Sequence, residues 1–248
     1  MKPIEPLKIM QYEQLPIAIY RSNQEMGQAA ALDACEIINQ AIAARGEANI
    51  ILATGNSQLT FLEALRSLPG INWSKVNVFH MDEYLGLAPN HRASFPLFLQ
   101  RHFLDFVTVK AFYPVQGQQG HEEAICREYE TLLRHHPTDM VAMGWGENGH
   151  IAFNDPPYAL FNDPVWVKVI ELAEASRHQQ VGEGHFGSLA EVPTHAITLT
   201  IPALLAPKQI LCIVPEARKA EAVRACLTES ISEDHPGSIL RRVPHARL

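Results

Sequence analysis

The chain has 248 residues, of which 47% are hydrophobic, and its 20 Lys and Arg against 27 Asp and Glu give a net charge of −7. This length and composition fit one large α/β domain over residues 1–248, or one domain with a small lid. An acidic chain without a basic run is a poor nucleic-acid binder. The Cys and His spacings match no zinc motif. The absence of a long apolar run and of a leader sequence predicts a cytoplasmic protein that does not enter membranes.

Strand-like and helix-like segments alternate along the chain, which predicts a mostly parallel sheet covered by helices. The predicted strands are residues 49–54, 76–81, 140–144, 197–201 and 209–214, and the predicted helices are residues 26–45, 59–68 and 216–227. Residues 158–185 carry few strand signals and become polar near their end. They form either a lid over a site, which we place within residues 158–187, or an irregular excursion of the chain.

Three motifs follow predicted strand ends, where ligands bind in open α/β sheets. The first, Thr54-Gly55-Asn56-Ser57, leads from a strand into a helix. Backbone N–H groups and hydroxyls at such a turn make an anion site. With one glycine and no lysine, the turn is not a nucleotide P-loop. The alternative is that Asn56 or Ser57 is an ordinary N-cap of the helix.

The second motif is the acidic pair Asp82 and Glu83, directly after the strand at residues 76–81. Adjacent residues of an extended chain point to opposite faces. We therefore expect one carboxylate to reach the cleft while the other binds backbone or a neighbouring side chain. The alternative is a solvated acidic strand end.

The third motif is the glycine-rich run from Gly144 to Pro156. Its glycines match the spacing of the dinucleotide fingerprint, but that fingerprint needs a helix after the third glycine. Asn154-Asp155-Pro156-Pro157 ends any such helix almost at once. We therefore reject a dinucleotide site.

The same run predicts a tight loop that presents His150 beside Asn148 and Asp155, an arrangement suited to a general acid or base. The alternative is a glycine-rich connector with a solvated histidine. Lys219, near the start of the last predicted helix, would suit a phosphate as a point charge; the alternative is a surface lysine.

Taken together, these segments resemble the glucosamine-6-phosphate deaminase/isomerase family, within a wider group that includes 6-phosphogluconolactonases. The resemblance runs in the family's order from about Ile50 to the C-terminus. The stretches that carry it are residues 52–57, 79–87, 91–95, 144–156 and 192–198 and the region around Lys219. The Asp-Glu-Tyr sequence at Tyr84 and the Phe-Asn-Asp-Pro sequence at residues 153–156 favour the deaminase branch over the lactonase branch.

The resemblance implies an open, three-layer Rossmann-like fold with helices on both faces. It also implies a reaction without metal or cofactor, in which an amino sugar phosphate gives fructose 6-phosphate and ammonia. By analogy, His150 assists ring opening, Asp82 moves the C2 proton toward C1, and Asn148 and Asp155 orient His150. The phosphate contacts implied are Thr54, Gly55, Asn56, Ser57, Gly146 and Lys219.

The chain departs from the family pattern at several positions. Many members carry Asp where this chain has Asn148, and an amide cannot relay a proton although it can still hydrogen-bond the histidine. Asp155 stands where Glu is usual. The phosphate-binding arginine of the well-known members should fall near His185, where this chain has none, and Arg177 and Arg218 are possible substitutes.

Three functions fit these observations. The first is a deaminating ketol isomerase acting on an amino-hexose 6-phosphate, with glucosamine 6-phosphate as the leading substrate and galactosamine 6-phosphate also open. The second is a hydrolase of a sugar-phosphate lactone that uses His150 as a base toward water. The third is a sugar-phosphate sensor without catalysis. The sequence does not distinguish a monomer from a homo-oligomer.

Overall fold

The computed structural model describes residues 4–248, apart from the side chain of residue 175, so residues 1–3 of the expected domain lie outside the described part. Its strands are β1 (Lys8–Tyr12), β2 (Leu15–Ile19), β3 (Ala48–Leu52), β4 (Val76–His80), β5 (Asp82–Tyr84), β6 (Ala111–Tyr113), β7 (Met140–Met143), β8 (Val167–Glu171), β9 (His195–Leu199), β10 (Gln209–Cys212) and β11 (Ala246–Arg247). Its α-helices are α1 (Asn23–Arg45), α2 (Leu59–Ser67), α3 (Phe95–His102), α4 (Glu122–His135), α5 (Glu174–Gly182), α6 (Ile201–Leu205) and α7 (Ala220–Thr228).

A parallel sheet of six strands, in the order β11-β10-β7-β3-β4-β6, forms the centre of the molecule. A smaller antiparallel sheet, β5-β9-β8, continues from the chain that leaves β4, and β1 and β2 form a separate hairpin. Because all central strands run the same way, their carboxyl ends meet at one edge, which we call the carboxyl edge. The opposite edge is the amino edge.

Helices cover both faces of the central sheet because successive side chains of its buried strands alternate between the faces. On β3, Ile50 and Leu52 pack with the apolar sides of α1, α2 and α3. Ile51 points the other way and packs with residues of α4 and α7. This is the three-layer α/β architecture that the sequence predicts.

Element ends differ from the predictions where a cap or a turn intervenes. Helix α1 begins at Asn23 rather than at residue 26, because the Ser22 hydroxyl accepts a hydrogen bond from the Glu25 N–H at 3.1 Å and the Glu25 carboxylate accepts one from the Arg21 N–H. The strand predicted at residues 197–201 lies at His195–Leu199, since Ile201 already begins α6.

The segment at residues 158–187 is more regular than predicted. It contains β8, which pairs antiparallel with all of β9, and then α5. The prediction of few strand signals is therefore wrong for Val167–Glu171, and an irregular excursion does not describe the segment. Within residues 4–248, no helix combines the length and the apolar character needed to cross a membrane.

Candidate active site

A cavity opens at the carboxyl edge, where the chain leaves β3, β4 and β7. Its walls include all three predicted motifs, together with α3 and the segment that carries α5. The predicted residues that line it are Thr54, Gly55, Asn56, Ser57, Asp82, Gly146, His150 and Lys219. Asn148 and Asp155 lie behind His150 rather than on the cavity wall.

The turn after β3 forms one end of the cavity. Gly55 has φ +93°, a conformation that favours glycine, and a short 3₁₀ turn at Asn56–Gln58 then leads into α2. Neither this turn nor α2 is capped by a side-chain hydrogen bond, so the interpretation of Asn56 or Ser57 as an ordinary N-cap is wrong. Polar groups at the start of a helix, facing a cavity, suit an anion.

Lys219 lies at the same cavity and is only 4% exposed, which excludes the alternative of a surface lysine. Its ammonium group donates a hydrogen bond to the Trp145 carbonyl at 2.8 Å. Burial lowers the pKa of Lys219, while the carboxylates of Glu183 and two other residues act in the opposite direction. Arg218 lines the cavity beside it. We call the Thr54–Ser57 turn with Arg218 and Lys219 the anion seat.

Asp82 and Glu83 point to different surroundings, as the sequence predicts. Asp82 lines the cavity, whereas Glu83 turns away and accepts hydrogen bonds from the Ser94 hydroxyl at 2.7 Å and from the backbone N–H groups of Tyr84 and Phe95. Burial raises the pKa of Glu83 to about 7. Glu83 therefore holds the start of α3 against β5 and takes no part in the cavity.

The Asp82 carboxylate is buried, and hydrogen bonds from the described residues do not replace the water that it has lost. Asp82 is 7% exposed, and within residues 4–248 no hydrogen bond reaches its side chain. Burial raises the pKa of Asp82 well above its ordinary value, and the nearby charge of Glu83 raises it further. A carboxylate held this way is a stronger base than one in water, and it faces the cavity.

The His150 ring is fixed by a loop that only glycine can form. Gly146 donates a backbone hydrogen bond to the His150 carbonyl at 2.9 Å, and a Cβ at Gly146 would lie 2.0 to 2.3 Å from atoms of the His150 ring. Gly149 has φ +85° in the same turn. The glycines therefore bring the imidazole flat against the backbone, and the interpretation of this run as a mere connector is wrong.

A hydrogen-bond network sets the tautomer of His150. Its Nδ1 lies 2.7 Å from the Asn148 Oδ1 and 3.1 Å from the Asp155 Oδ1, while Asn148 also donates from its amide nitrogen to Asp155 at 2.7 Å. Both oxygens act as acceptors, so Nδ1 carries the proton. In neutral His150, Nε2 is then a free acceptor, as a general base requires.

Asp155 is the ionised acceptor that stabilises this network. Burial alone would raise its pKa, but the charge of His150 and hydrogen bonds from His150, Asn148 and Ser176 outweigh burial and lower the pKa of Asp155 to about 2. The Ser176 hydroxyl donates to Asp155 at 2.7 Å. Ser176 was missed by sequence reasoning because it comes from α5, whose place beside the histidine loop no local pattern indicates.

Other cavity residues also escaped prediction. Arg92, Gln179, Gln180, Glu183 and His185 all line the cavity. Of the two arginines suggested as substitutes for the missing phosphate ligand, Arg218 lines the cavity, and Arg177 does not. The Arg177 guanidinium instead donates to the backbone carbonyls of Leu189 and Val192.

The site chemistry among the described residues is that of acid and base groups. In residues 4–248, no group of three or more His, Cys, Asp or Glu side chains is placed to hold a metal ion. A buried base, an oriented imidazole and a cationic seat share one cavity. They can hold an anionic group at one end of a small molecule and move protons at the other.

Comparison with known proteins agrees with this chemistry. Residues 21–246 match the family model for glucosamine-6-phosphate isomerases/6-phosphogluconolactonase. A glucosamine-6-phosphate deaminase of Bacillus cereus (strain B4264) is 31% identical over 232 residues, which are 94% of this chain and 85% of that protein. A relative from Bacillus thuringiensis (strain Al Hakam) with the same name is 32% identical over the same shares of the two chains.

Solved structures extend the likeness to three dimensions. A monomeric glucosamine-6-phosphate deaminase superimposes with a TM-score of 0.85 at 28% identity, covering 96% of this chain and 95% of that one. The 6-phosphogluconolactonase of Trypanosoma brucei gives a TM-score of 0.76 at 16% identity over 97% and 95% of the two chains, a likeness of fold alone. The chain belongs to the family of glucosamine-6-phosphate isomerases and 6-phosphogluconolactonases.

Proposed function

We propose that this protein is a glucosamine-6-phosphate deaminase, which converts glucosamine 6-phosphate and water to fructose 6-phosphate and ammonia. The observation that carries the proposal is that Asp82 and His150 line the same cavity as the anion seat. The names of the relatives at 31% to 33% identity support the choice of substrate.

In the proposed reaction the anion seat holds the phosphate. Backbone groups of the Thr54–Ser57 turn and the charges of Lys219 and Arg218 bind the group that does not react, which positions the sugar. Gly146 contributes because the absence of a side chain there lets the His150 ring lie close to the loop.

His150 and Asp82 move the protons. With Nδ1 fixed by Asn148, the free Nε2 of His150 shuttles a proton at the ring oxygen and so assists opening of the pyranose ring. The Asp82 carboxylate takes the C2 proton of the open-chain amino aldehyde and delivers it to C1, while a proton passes from the C2 nitrogen to the C1 oxygen. The product is a C2 ketimine, which water hydrolyses to the ketone and ammonia. Each such proton transfer contributes about 10²- to 10⁴-fold in rate.

Asn148 fits this mechanism without relaying a proton. Its amide donates to Asp155 while its oxygen accepts from the His150 ring, so it couples the carboxylate to the imidazole in a single orientation. A carboxylate in its place would lie against the Asp155 oxygen that now accepts from the Asn148 amide. The Asn148 departure from the family pattern is therefore compatible with catalysis.

We further propose that residues 1–248 act as one domain and that residues 158–187 act as a lid. Helix α5 and the residues after it contribute Gln179, Gln180 and His185 to the cavity wall, so a movement of this segment would open or close the site. Hydrogen exchange of the α5 amides with and without glucosamine 6-phosphate tests the lid. Protection that increases on binding supports it, and unchanged protection contradicts it.

The function is tested by a substrate panel. Purified protein is given glucosamine 6-phosphate, galactosamine 6-phosphate or 6-phosphogluconolactone, and ammonia and acid release are measured in parallel. We expect ammonia from glucosamine 6-phosphate, loss of this activity in His150→Gln, and retention in the matched variant His195→Gln, whose histidine is exposed outside the cavity. Hydrolysis of the lactone without release of ammonia would contradict the proposal, and so would binding of a sugar phosphate with no turnover.

A further inference from the structure

A carboxylate is paired with Arg218 of the anion seat. Glu183 follows α5, lines the cavity and has a side chain that is only 7% exposed. One of its oxygens lies 3.0 Å from Arg218 and accepts a hydrogen bond from Gln179 at 2.9 Å. The other oxygen lies 3.3 Å from the ring of His185. Arg218, one of the two cations that would bind a phosphate, is therefore already paired with an anion of the chain itself.

Glu183 differs from the other carboxylates around Arg218. Glu147 and Glu216 also pair with this guanidinium, but their side chains are 46% and 30% exposed and neither lines the cavity. Those two lie on the solvent side of Arg218, where water screens them. Glu183 alone of the three faces the cavity, where the charge of a ligand would arrive.

The charge of Glu183 is stable in this position. Burial acts to raise its pKa, but hydrogen bonds from His185 and Gln179 and the charges of Arg218 and Lys219 outweigh burial, and the pKa of Glu183 is lowered. A phosphate that approached Arg218 would therefore meet a carboxylate anion at close range, where like charges repel.

We propose that Glu183 is a specificity-determining residue that competes with the substrate phosphate for the anion seat. This inference rests on the proposed function for the identity of the phosphate. A ligand gains the full seat, including Arg218, only by displacing the Glu183 carboxylate from Arg218 and His185. Inorganic phosphate and small phosphate esters bring only the anion, whereas a sugar phosphate also gains contacts toward Asp82 and His150. The competition therefore discriminates against ligands that lack the sugar.

Displacement of Glu183 needs little rearrangement of the backbone. The residue lies between Gly182 and Gly184, and a Cβ built on either glycine meets no atom within 4 Å. Gly184 has φ +79°. The side chain can leave Arg218 by a rotamer change, since the space beside the flanking positions is open.

Binding of inorganic phosphate to the full-length protein tests the proposal without any turnover. We expect Glu183→Gln, which keeps the shape of the side chain and removes its charge, to bind phosphate at least about tenfold more tightly than wild type in calorimetric titration. Glu183→Ala should show the same direction and guards against a local effect of the new amide. The matched control is Glu216→Gln, which removes a charge from the same arginine on the solvent side and should change the affinity less than about threefold.

Two results would overturn the proposal. Unchanged or weaker phosphate binding in both Glu183 variants would mean that the carboxylate holds Arg218 in place for the ligand rather than competing with it. Equal tightening in Glu216→Gln would mean a general charge effect. Failure of the proposed function is a separate outcome, because a wild type that releases no ammonia can still show the Glu183 effect on phosphate, and an active enzyme can lack it.

Discussion

The two edges of the central sheet each contain a buried aspartate, and the two carboxylates have opposite hydrogen-bonding environments. At the amino edge, Asp139 is 2% exposed and lies just before β7. It accepts two hydrogen bonds from Arg45, at 2.7 and 2.5 Å, another from Lys208 and one from the Asn49 N–H. At the carboxyl edge, Asp82 is nearly as buried, and no donor within residues 4–248 reaches its carboxylate.

The difference appears in the pKa values of the two groups. Burial acts to raise the pKa of Asp139, but hydrogen bonds from Arg45, Asn49 and Lys208 outweigh it and lower the pKa. Burial raises the pKa of Asp82 with nothing to oppose it. A buried carboxylate with full pairing joins elements of the fold, whereas one left unpaired in a cavity lowers stability and marks a candidate functional site. Asp139 therefore has the environment of a structural residue, whereas Asp82 has the environment of a functional one.

The largest expected effect is on Asp82. Asp82→Asn should lower kcat for ammonia release by about 10²- to 10⁴-fold, because the amide cannot accept the C2 proton. Its free energy of unfolding should be unchanged or higher, since the variant no longer buries an unpaired carboxylate. Steady-state kinetics and urea unfolding on the same preparation measure both quantities. An active variant, or one that loses stability instead, would make Asp82 a structural residue like Asp139.

Asp139→Asn should have the reverse profile. It removes the charge that joins α1, β7 and the chain before β10. We expect a loss of about 2–3 kcal/mol in the free energy of unfolding, the range for hydrogen bonds to a charged group. The value of kcat per folded molecule should stay within about twofold, because the group lies at the edge opposite the cavity. The same two measurements apply. A strong loss of kcat with unchanged stability would remove the distinction between the edges.

How far the sequence predicted this site depends on where each residue comes from. The turn at Thr54–Ser57, Asp82 and the loop of His150 all follow buried strands, and strand ends of a parallel sheet meet at one edge. Their convergence follows from the strand pattern alone. The opposite orientation of Glu83 follows from the period of two in an extended chain.

The residues that the sequence did not predict come from segments brought in by tertiary packing. Ser176 and Glu183 belong to α5 and its end, a polar stretch without a clear apolar stripe. Strand β8, which precedes it, pairs with β9 and contains the β-branched residues Val167, Val169 and Ile170, so here the strand signal was present in the sequence and was missed. Arg92 lies in a loop, where a surface position and a cavity position have the same local pattern.

Gly146→Ala tests the geometry of the carboxyl edge rather than its charges. The new Cβ would lie 2.0 to 2.3 Å from the His150 ring, so the ring must move. We expect kcat to fall by about 10- to 100-fold, since a displacement of about 1 Å at a catalytic group has effects of this size. Gly182→Ala is the matched control, because a Cβ there meets nothing within 4 Å and the activity should be retained.

The smallest expected effect is the pH dependence contributed by Asp155. Its pKa in the folded protein is lowered to about 2, so between about pH 4 and pH 2 the folded state binds fewer protons than the unfolded state. The contribution to stability is fully present above about pH 4 and is lost as the pH falls through about 2. It amounts to at most about 2 kcal/mol.

Urea unfolding of wild type and Asp155→Asn across this pH range measures that contribution. The difference between their free energies of unfolding should shrink as the pH is lowered from about 4 toward 2. A difference that stays constant with pH would show that the ionised form of Asp155 is not what the network with His150 stabilises.

A crystal structure of Asp82→Asn with glucosamine 6-phosphate would show whether Asp82, His150 and the anion seat bind one substrate together, because the inactive variant should hold the substrate unreacted. We expect the phosphate in the anion seat beside Lys219 and the Thr54–Ser57 turn, C2 of the sugar facing residue 82, and the ring oxygen facing His150. A sugar bound away from the carboxyl edge, or one with its phosphate beside residue 82, would contradict it.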